Sequence, residues 1–179
     1  MNFTRPLVAA LVLGALSAFG DWVWSRYIPD GAVIPGVVHG ILVFFVLALV
    51  LGWAAGRRAA VVRLVLALPV AGLIIAAAFY PLAYLLGYVG ALLVTWVAMW
   101  LTLAVLQRWA HGVESLAAAL LRGAIGAVGS GLGFWAISGI WTAPDPQPNY
   151  VLRFLLWSFA FLPGFLGLLL GRRAGGHER

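Results

Sequence analysis

The chain has 179 residues, of which 64% are hydrophobic and 9% are charged, and its formal net charge is +6. A soluble domain of this size cannot bury so much apolar surface, so the composition excludes that class and predicts a membrane protein. The chain contains no cysteine, which excludes disulfides and thiolate chemistry. Its positive charge comes from separate arginines rather than one cationic patch, so no nucleic-acid partner is expected.

The apolar residues fall into six segments that are separated by short polar turns. Each segment is close to the ~20 residues that a helix needs to cross about 30 Å of hydrocarbon. The sequence therefore predicts an all-α polytopic membrane protein with one transmembrane domain over residues 1–179. The six predicted helices cover residues 6–27, 33–56, 60–80, 85–107, 116–141 and 150–171.

Turn residues mark the ends of several predicted helices. Pro6 suits a first helical turn, Pro29 ends that helix, and Pro81 ends the third one. The first segment also has the form of a signal peptide, because Arg5 precedes an apolar run. The apolar character continues to Trp24, so we interpret the segment as a retained helix and keep a cleaved signal as the alternative.

The arginines predict how the chain is oriented in the membrane. With the N-terminus inside, nine arginines lie at cytoplasmic ends of helices and two, Arg26 and Arg153, lie at outer ends. This bias follows the positive-inside rule and predicts an inner-membrane protein with both termini in the cytoplasm. The nine are Arg5, Arg57, Arg58, Arg63, Arg108, Arg122, Arg172, Arg173 and Arg179.

Asp21 is the most informative ionisable residue, because a charge inside a membrane helix costs about 2.5–3.5 kcal/mol and needs a partner or water. Asp21 lies six residues before the outer end of the first predicted helix, and His39 lies six residues into the second. Equal rise per residue places both at the same depth. This pair could contact a ligand, carry a proton or bind a metal with a third ligand. Alternatively, it forms a hydrogen bond that joins two helices.

Arg153 and four deep tryptophans are the remaining candidate ligand-binding residues. We expect Arg153 to extend outward to the interface, with an inward turn to Asp21 or Asp145 as the alternative. The tryptophans could form the walls of a pocket for a flat apolar ligand, although ordinary core packing or lipid contact also explains them. They are Trp96 and Trp100, which share one helix face, together with Trp135 and Trp157.

The fifth predicted helix is rich in small residues, which permit close helix packing. It therefore lies at the centre of the bundle or at the contact between two copies in a homo-oligomer. The candidate packing residues are Gly126, Gly129, Gly131 and Gly133.

The plan of six spans with short loops and both termini inside resembles the Insig family of sterol-responsive membrane proteins. The residues that carry the resemblance are Tyr150, Arg153, Leu162, Pro163, Gly164, Leu170, Gly171 and Arg172 in the last helix, with Pro35 and Gly36 in the second. The resemblance implies a central cavity for a lipid-like molecule and no catalysis. The acidic residues with which that family binds partners have no clear counterpart here.

The sequence contains no zinc-protease, serine-hydrolase or Walker motif, and it has only five acidic residues. We therefore expect a non-catalytic protein without a metal or cofactor. It would bind a lipid, another hydrophobic small molecule or a membrane partner. The alternatives are a proton-coupled transporter that uses Asp21 and His39, a structural subunit of a membrane complex, and an enzyme acting on lipids or quinones.

Overall fold

The computed structural model describes residues 3–29, 32–55, 58–111, 114–142 and 149–170, and these ranges contain five helices. Four of the helices begin and end within two residues of the predicted bounds. The helices are α1 (Thr4–Tyr27), α2 (Val33–Ala55), α3 (Arg58–His111), α4 (Leu116–Thr142) and α5 (Tyr150–Leu170). Residues named above that lie outside the described ranges are Arg57, Asp145, Gly171, Arg172, Arg173 and Arg179.

The third and fourth predicted helices form one helical element, α3, so the described chain has five helices where the sequence predicts six. Pro81, which was expected to end the third helix, lies inside α3. Neighbouring groups in a membrane helix can replace the hydrogen bond that a proline removes. The one residue of α3 with non-helical torsion angles is Gly87, at φ 73° and ψ 166°. Glycine adopts a positive φ without strain, so the break lies there.

The chain reverses direction at Gly87. The guanidinium carbon of Arg63 lies 5.9 Å from the ring centroid of Trp109. A straight helix would separate residues 46 positions apart by about 69 Å. The two arms of α3, residues 58–86 and 88–111, therefore lie side by side like separate helices, although no loop joins them.

Neighbouring helices run antiparallel and approach each other at glycines. The first arm of α3 packs on α2, where Gly40 lies against Ala76 and Gly72 against Phe44. The second arm packs on α4, and α4 packs on α5. In turn, α5 packs on α1, where Gly14 lies against the backbone of Ser158. The main neighbour of α1 is α5 rather than α2.

The outer faces of the helices are apolar. All five helices of the described chain are long and apolar enough to cross a membrane, yet the buried share of each span is only 22–39%. Large apolar side chains such as Ile34, Leu66 and Val128 point away from the protein. Such a surface is unfavourable in water and favourable in a membrane. The fold is thus that of an all-helical, membrane-embedded protein.

The bundle has two chemically different ends. At one, which we call the Arg-rich end, Arg63 contacts Trp109, and Arg122 bonds to residues near the ends of α3 and α5. Arg26 and Arg153 lie at the opposite end, which we call the Asp21 end. This grouping agrees with the division of the arginines that the sequence predicts.

Candidate functional site

A polar cluster joins α1 to α5 near the Asp21 end. The indole Nε1 of Trp157 donates a hydrogen bond to Oδ2 of Asp21 at 2.9 Å. Nη1 of Arg153 lies 3.6 Å from the same oxygen, so the two side chains form an ion pair. The side chain of Asp21 is 19% exposed and that of Arg153 is 13% exposed, so both remain within reach of a ligand at the protein surface. Arg153 turns inward, the alternative to the expected outward extension.

Local sequence explains why these three residues meet. Arg153 and Trp157 are four residues apart on α5 and therefore share a face. The absence of a side chain at Gly14 lets α1 approach α5 closely. The N-terminus of α5 is fixed by Asn149, whose side-chain oxygen accepts a hydrogen bond from the backbone N–H of Leu152 at 3.0 Å.

Two hydroxyl groups close the outer edge of the cluster. The hydroxyl of Tyr150 lies 3.0 Å from that of Ser25, which adds a second contact between α5 and α1. The guanidinium of Arg153 lies over the Tyr150 ring, 5.8 Å from its centroid. Nε of Arg153 is buried and has no hydrogen-bond partner among the described residues. Arg153 therefore has a donor that the described part of the chain does not satisfy.

His39 lies at the predicted depth, beside Gly20, which precedes Asp21 in the sequence. Its ring packs against Gly20, and a Cβ atom at that glycine would lie 3.1 Å from its Nδ1. Its ring is also 6.5 Å from that of Trp24. The contacts described above for the Asp21 carboxylate come instead from α5. The structure thus supports equal depth for Asp21 and His39, whereas a direct bond between them stays a prediction.

Trp96 is the centre of an aromatic cluster between α3, α4 and α5. It stacks on Phe134 with centroids 4.1 Å apart and lies 5.3 Å from Phe161. Trp157 lies on the side of the Asp21 end and Trp100 on the side of the Arg-rich end, each just over 6 Å from Trp96. We call this cluster the aromatic column; its members are Trp96, Trp100, Phe134, Trp157, Phe161 and Phe165.

The two central tryptophans differ in their hydrogen bonding. Nε1 of Trp96 donates to the hydroxyl of Ser130 at 2.9 Å. Nε1 of Trp100 is buried and has no partner in the part of the chain that the structure describes. The Trp100 ring fills a space lined by Gly164 and Gly126. The aromatic column is thus part of the packed core, whereas ligand binding by these tryptophans stays a prediction.

Trp135 is far more exposed than the central tryptophans of the aromatic column. It lies on the outside of α4 and is 65% exposed. Of the four tryptophans proposed as pocket walls, Trp96, Trp100 and Trp157 come together, and Trp135 faces the surroundings of the protein. Depth in the sequence could not distinguish them, because it gives no direction around the helix axis.

The small residues of α4 pack mainly inside the chain. Gly126 contacts α5 at Gly164, Gly133 contacts it at Ala160, and Gly129 contacts it at Pro163. The nearest contact of Gly131 is with the Trp96 ring. This arrangement favours the central position for α4, whereas a homo-oligomer through this helix stays a prediction.

A second polar cluster, at the Arg-rich end, was not predicted. Arg122 is 8% exposed and forms an ion pair with Glu114 that includes a 2.9 Å hydrogen bond from Nε. Its Nη1 donates to the backbone oxygen of Leu168 at 2.6 Å and to the side-chain oxygen of the fully buried Gln107 at 3.4 Å. The signal in the sequence was an acid and a base eight residues apart in an otherwise apolar region. One guanidinium thus joins α3, α4, α5 and the turn before α4.

Metal binding receives no support from the described residues, among which no group of three or more histidine or acidic side chains could hold an ion. Comparisons of the whole chain with known proteins do not assign it to a family. No protein-family model, curated protein or solved structure matches it. The resemblance to the Insig family therefore stays a prediction.

Proposed function

We propose that the protein crosses the inner membrane six times, with both termini in the cytoplasm. Two observations support this topology. Each arm of α3 has the length of a span, and the reversal at Gly87 places the arms side by side. The described arginines also divide between the two ends as the positive-inside rule requires. The Asp21 end would then lie in the outer half of the membrane.

The function that the site supports best is non-catalytic binding of a lipid or another hydrophobic small molecule. The observation that carries this proposal is the Asp21–Arg153–Trp157 cluster, which is a partly accessible set of charges on a protein with an apolar exterior. Amphipathic ligands require such a combination of a few placed polar groups and an apolar surface. The resemblance to the Insig family implies the same class of ligand.

Ligand retention tests the proposal. The protein is purified in mild detergent, extracted with organic solvent, and the extract is analysed by mass spectrometry. We expect Asp21→Asn and Trp157→Phe to reduce the amount of retained ligand several-fold. Trp135→Phe is the matched control, because it removes an indole from an equally deep but outward-facing position. Equal retention by all variants and the wild type would refute the assignment.

Proton-coupled transport is the second candidate. It is favoured by the ion pair between Asp21 and Arg153, because protonation of the carboxylate would remove the attraction between α1 and α5. Vesicles containing the protein should then show solute flux driven by a pH gradient, and Asp21→Asn should abolish it. Flux that persists in this variant would exclude Asp21 as the switch.

A further inference from the structure

Arg153 has hydrogen-bonding capacity that the described residues leave unused. A guanidinium carries five N–H donors, and the buried Nε has no partner among the described residues. Its Nη1 lies 3.6 Å from Asp21, longer than a normal hydrogen bond between charged groups. An unsatisfied donor is costly in an apolar environment. The site is therefore suited to an acceptor group supplied by a ligand.

The position of Arg153 indicates an anionic acceptor. Arg153 lies in the first turn of α5, where the helix dipole adds partial positive charge. In the proposed topology this turn lies at the outer membrane interface, at the level of lipid headgroups. A phosphate diester offers charged oxygens at that depth, and arginine binds phosphate strongly.

The charge balance of the site narrows the choice of ligand. Asp21 and Arg153 together are formally neutral, and both side chains are mostly buried. A ligand with only an anionic group would leave a net negative charge in this poorly hydrated place, which is unfavourable. A zwitterionic ligand keeps the site neutral, because its cation can face the carboxylate while its anion faces the guanidinium.

We propose that the Asp21–Arg153 pair binds the headgroup of an amine-bearing phospholipid. Its phosphate accepts hydrogen bonds from the guanidinium of Arg153, whose side chain is 13% exposed, and its ammonium faces Asp21. This assignment rests on the proposed lipid-binding function and specifies the chemistry of the ligand. Tyr150 and Ser25 border the site and provide hydroxyl groups at the same level.

Titration of the delipidated wild-type protein tests the assignment without any substitution. Three probes are compared by native mass spectrometry: a short-chain phosphatidylethanolamine, a diacylglycerol with the same chains, and free phosphoethanolamine. We expect the phospholipid to bind about tenfold or more tightly than the diacylglycerol, as a hydrogen bond to a charged group would give. Free phosphoethanolamine should bind far more weakly, because it lacks acyl chains.

Each outcome separates this assignment from the broader proposal. Equal affinity for the phospholipid and the diacylglycerol would overturn the headgroup assignment and leave hydrophobic ligand binding standing. Tight binding of free phosphoethanolamine would overturn the lipid as the source of the phosphate. No binding of either diacyl compound would overturn both proposals.

Variants then locate the site. Arg153→Gln should lose the preference for the phospholipid. Arg26→Gln is the control and should keep this preference, because Arg26 lies at the same end but is exposed and contacts Trp22. Arg153→Lys keeps the charge but removes Nε and should show an intermediate preference, which serves as the test if the glutamine variant does not fold. An unchanged preference in Arg153→Lys and Arg153→Gln would overturn the assignment.

Discussion

Gly164→Ala should destabilise the bundle, because the indole of Trp100 occupies the space beside this glycine. A Cβ atom at position 164 would overlap three carbons of the Trp100 ring, of which the farthest, Cζ3, lies 2.5 Å away. Trp100 is fully buried, so its ring has nowhere to move without displacing Phe165 and its other neighbours. The cost of such overpacking is about 3 kcal/mol, the upper part of the usual range.

The higher helix propensity of alanine offsets part of the overpacking cost. Alanine is more favourable than glycine inside a helix by about 1 kcal/mol, so the net destabilisation by Gly164→Ala should be about 2 kcal/mol. Gly131→Ala is the matched control, because the nearest atom to its new Cβ would be Cδ1 of Trp96 at 3.9 Å. That variant gains propensity without a clash, so the two variants should differ by about 3 kcal/mol.

The assay is unfolding in mixed micelles by increasing dodecyl sulfate, followed by the helical circular dichroism signal. Trp100→Leu should itself be destabilising, yet the double variant with Gly164→Ala should be less destabilised than the sum of the single effects by about 3 kcal/mol, since Trp100→Leu removes the clash. Equal stability of the Gly164→Ala and Gly131→Ala proteins would refute the packing that we describe. Strict additivity in the double variant would refute the role of the indole.

Three further predictions concern other parts of the fold. Arg122→Met should cost about 3 kcal/mol in the same unfolding assay, and adding Glu114→Gln should recover part of the loss, because a buried pair is damaged most when one charge is left alone. Full additivity of the two changes would argue against their ion pair. Ser130→Ala should cost about 1 kcal/mol, since it removes the acceptor of the Trp96 indole, and unchanged stability would contradict that bond. A reporter enzyme fused after Gly87 should lie on the outer side of the membrane, and a reporter fused after the second arm of α3 should lie on the inner side. Finding both reporters on the same side would refute six crossings.

The sequence predicted the helix ends well, because they depend on local chemistry. Pro6, Pro29 and the polar turns gave bounds for α1, α2, α4 and α5 within two residues. The turn between the third and fourth predicted helices was misplaced. Pro81 is the usual signal for a helix end, but a membrane helix tolerates it. Gly87 provides a positive φ instead, and nothing in the sequence distinguishes it from the many other glycines.

The sequence predicted the depth of the candidate site, and it gave the contact between Arg153 and Asp21 only as an alternative. Rise per residue placed Asp21 and His39 at one level, and the structure agrees through the contact of His39 with Gly20. Which helix faces Asp21 depends on the order of helices around the bundle, which periodicity in uniformly apolar segments does not encode. The main neighbour of α1 is α5, so Arg153 and Trp157 contact the carboxylate.

The bond from Arg122 to the backbone oxygen of Leu168 has a consequence for biogenesis. The two residues are 46 positions apart, so the ribosome delivers the arginine to the membrane well before its carbonyl acceptor is made. Until α5 is made, this buried cation at the Arg-rich end lacks one of its stabilising contacts. Chains truncated before α5 would retain this defect. Synthesis of α5 therefore completes the hydrogen bonding of a side chain that lies on α4.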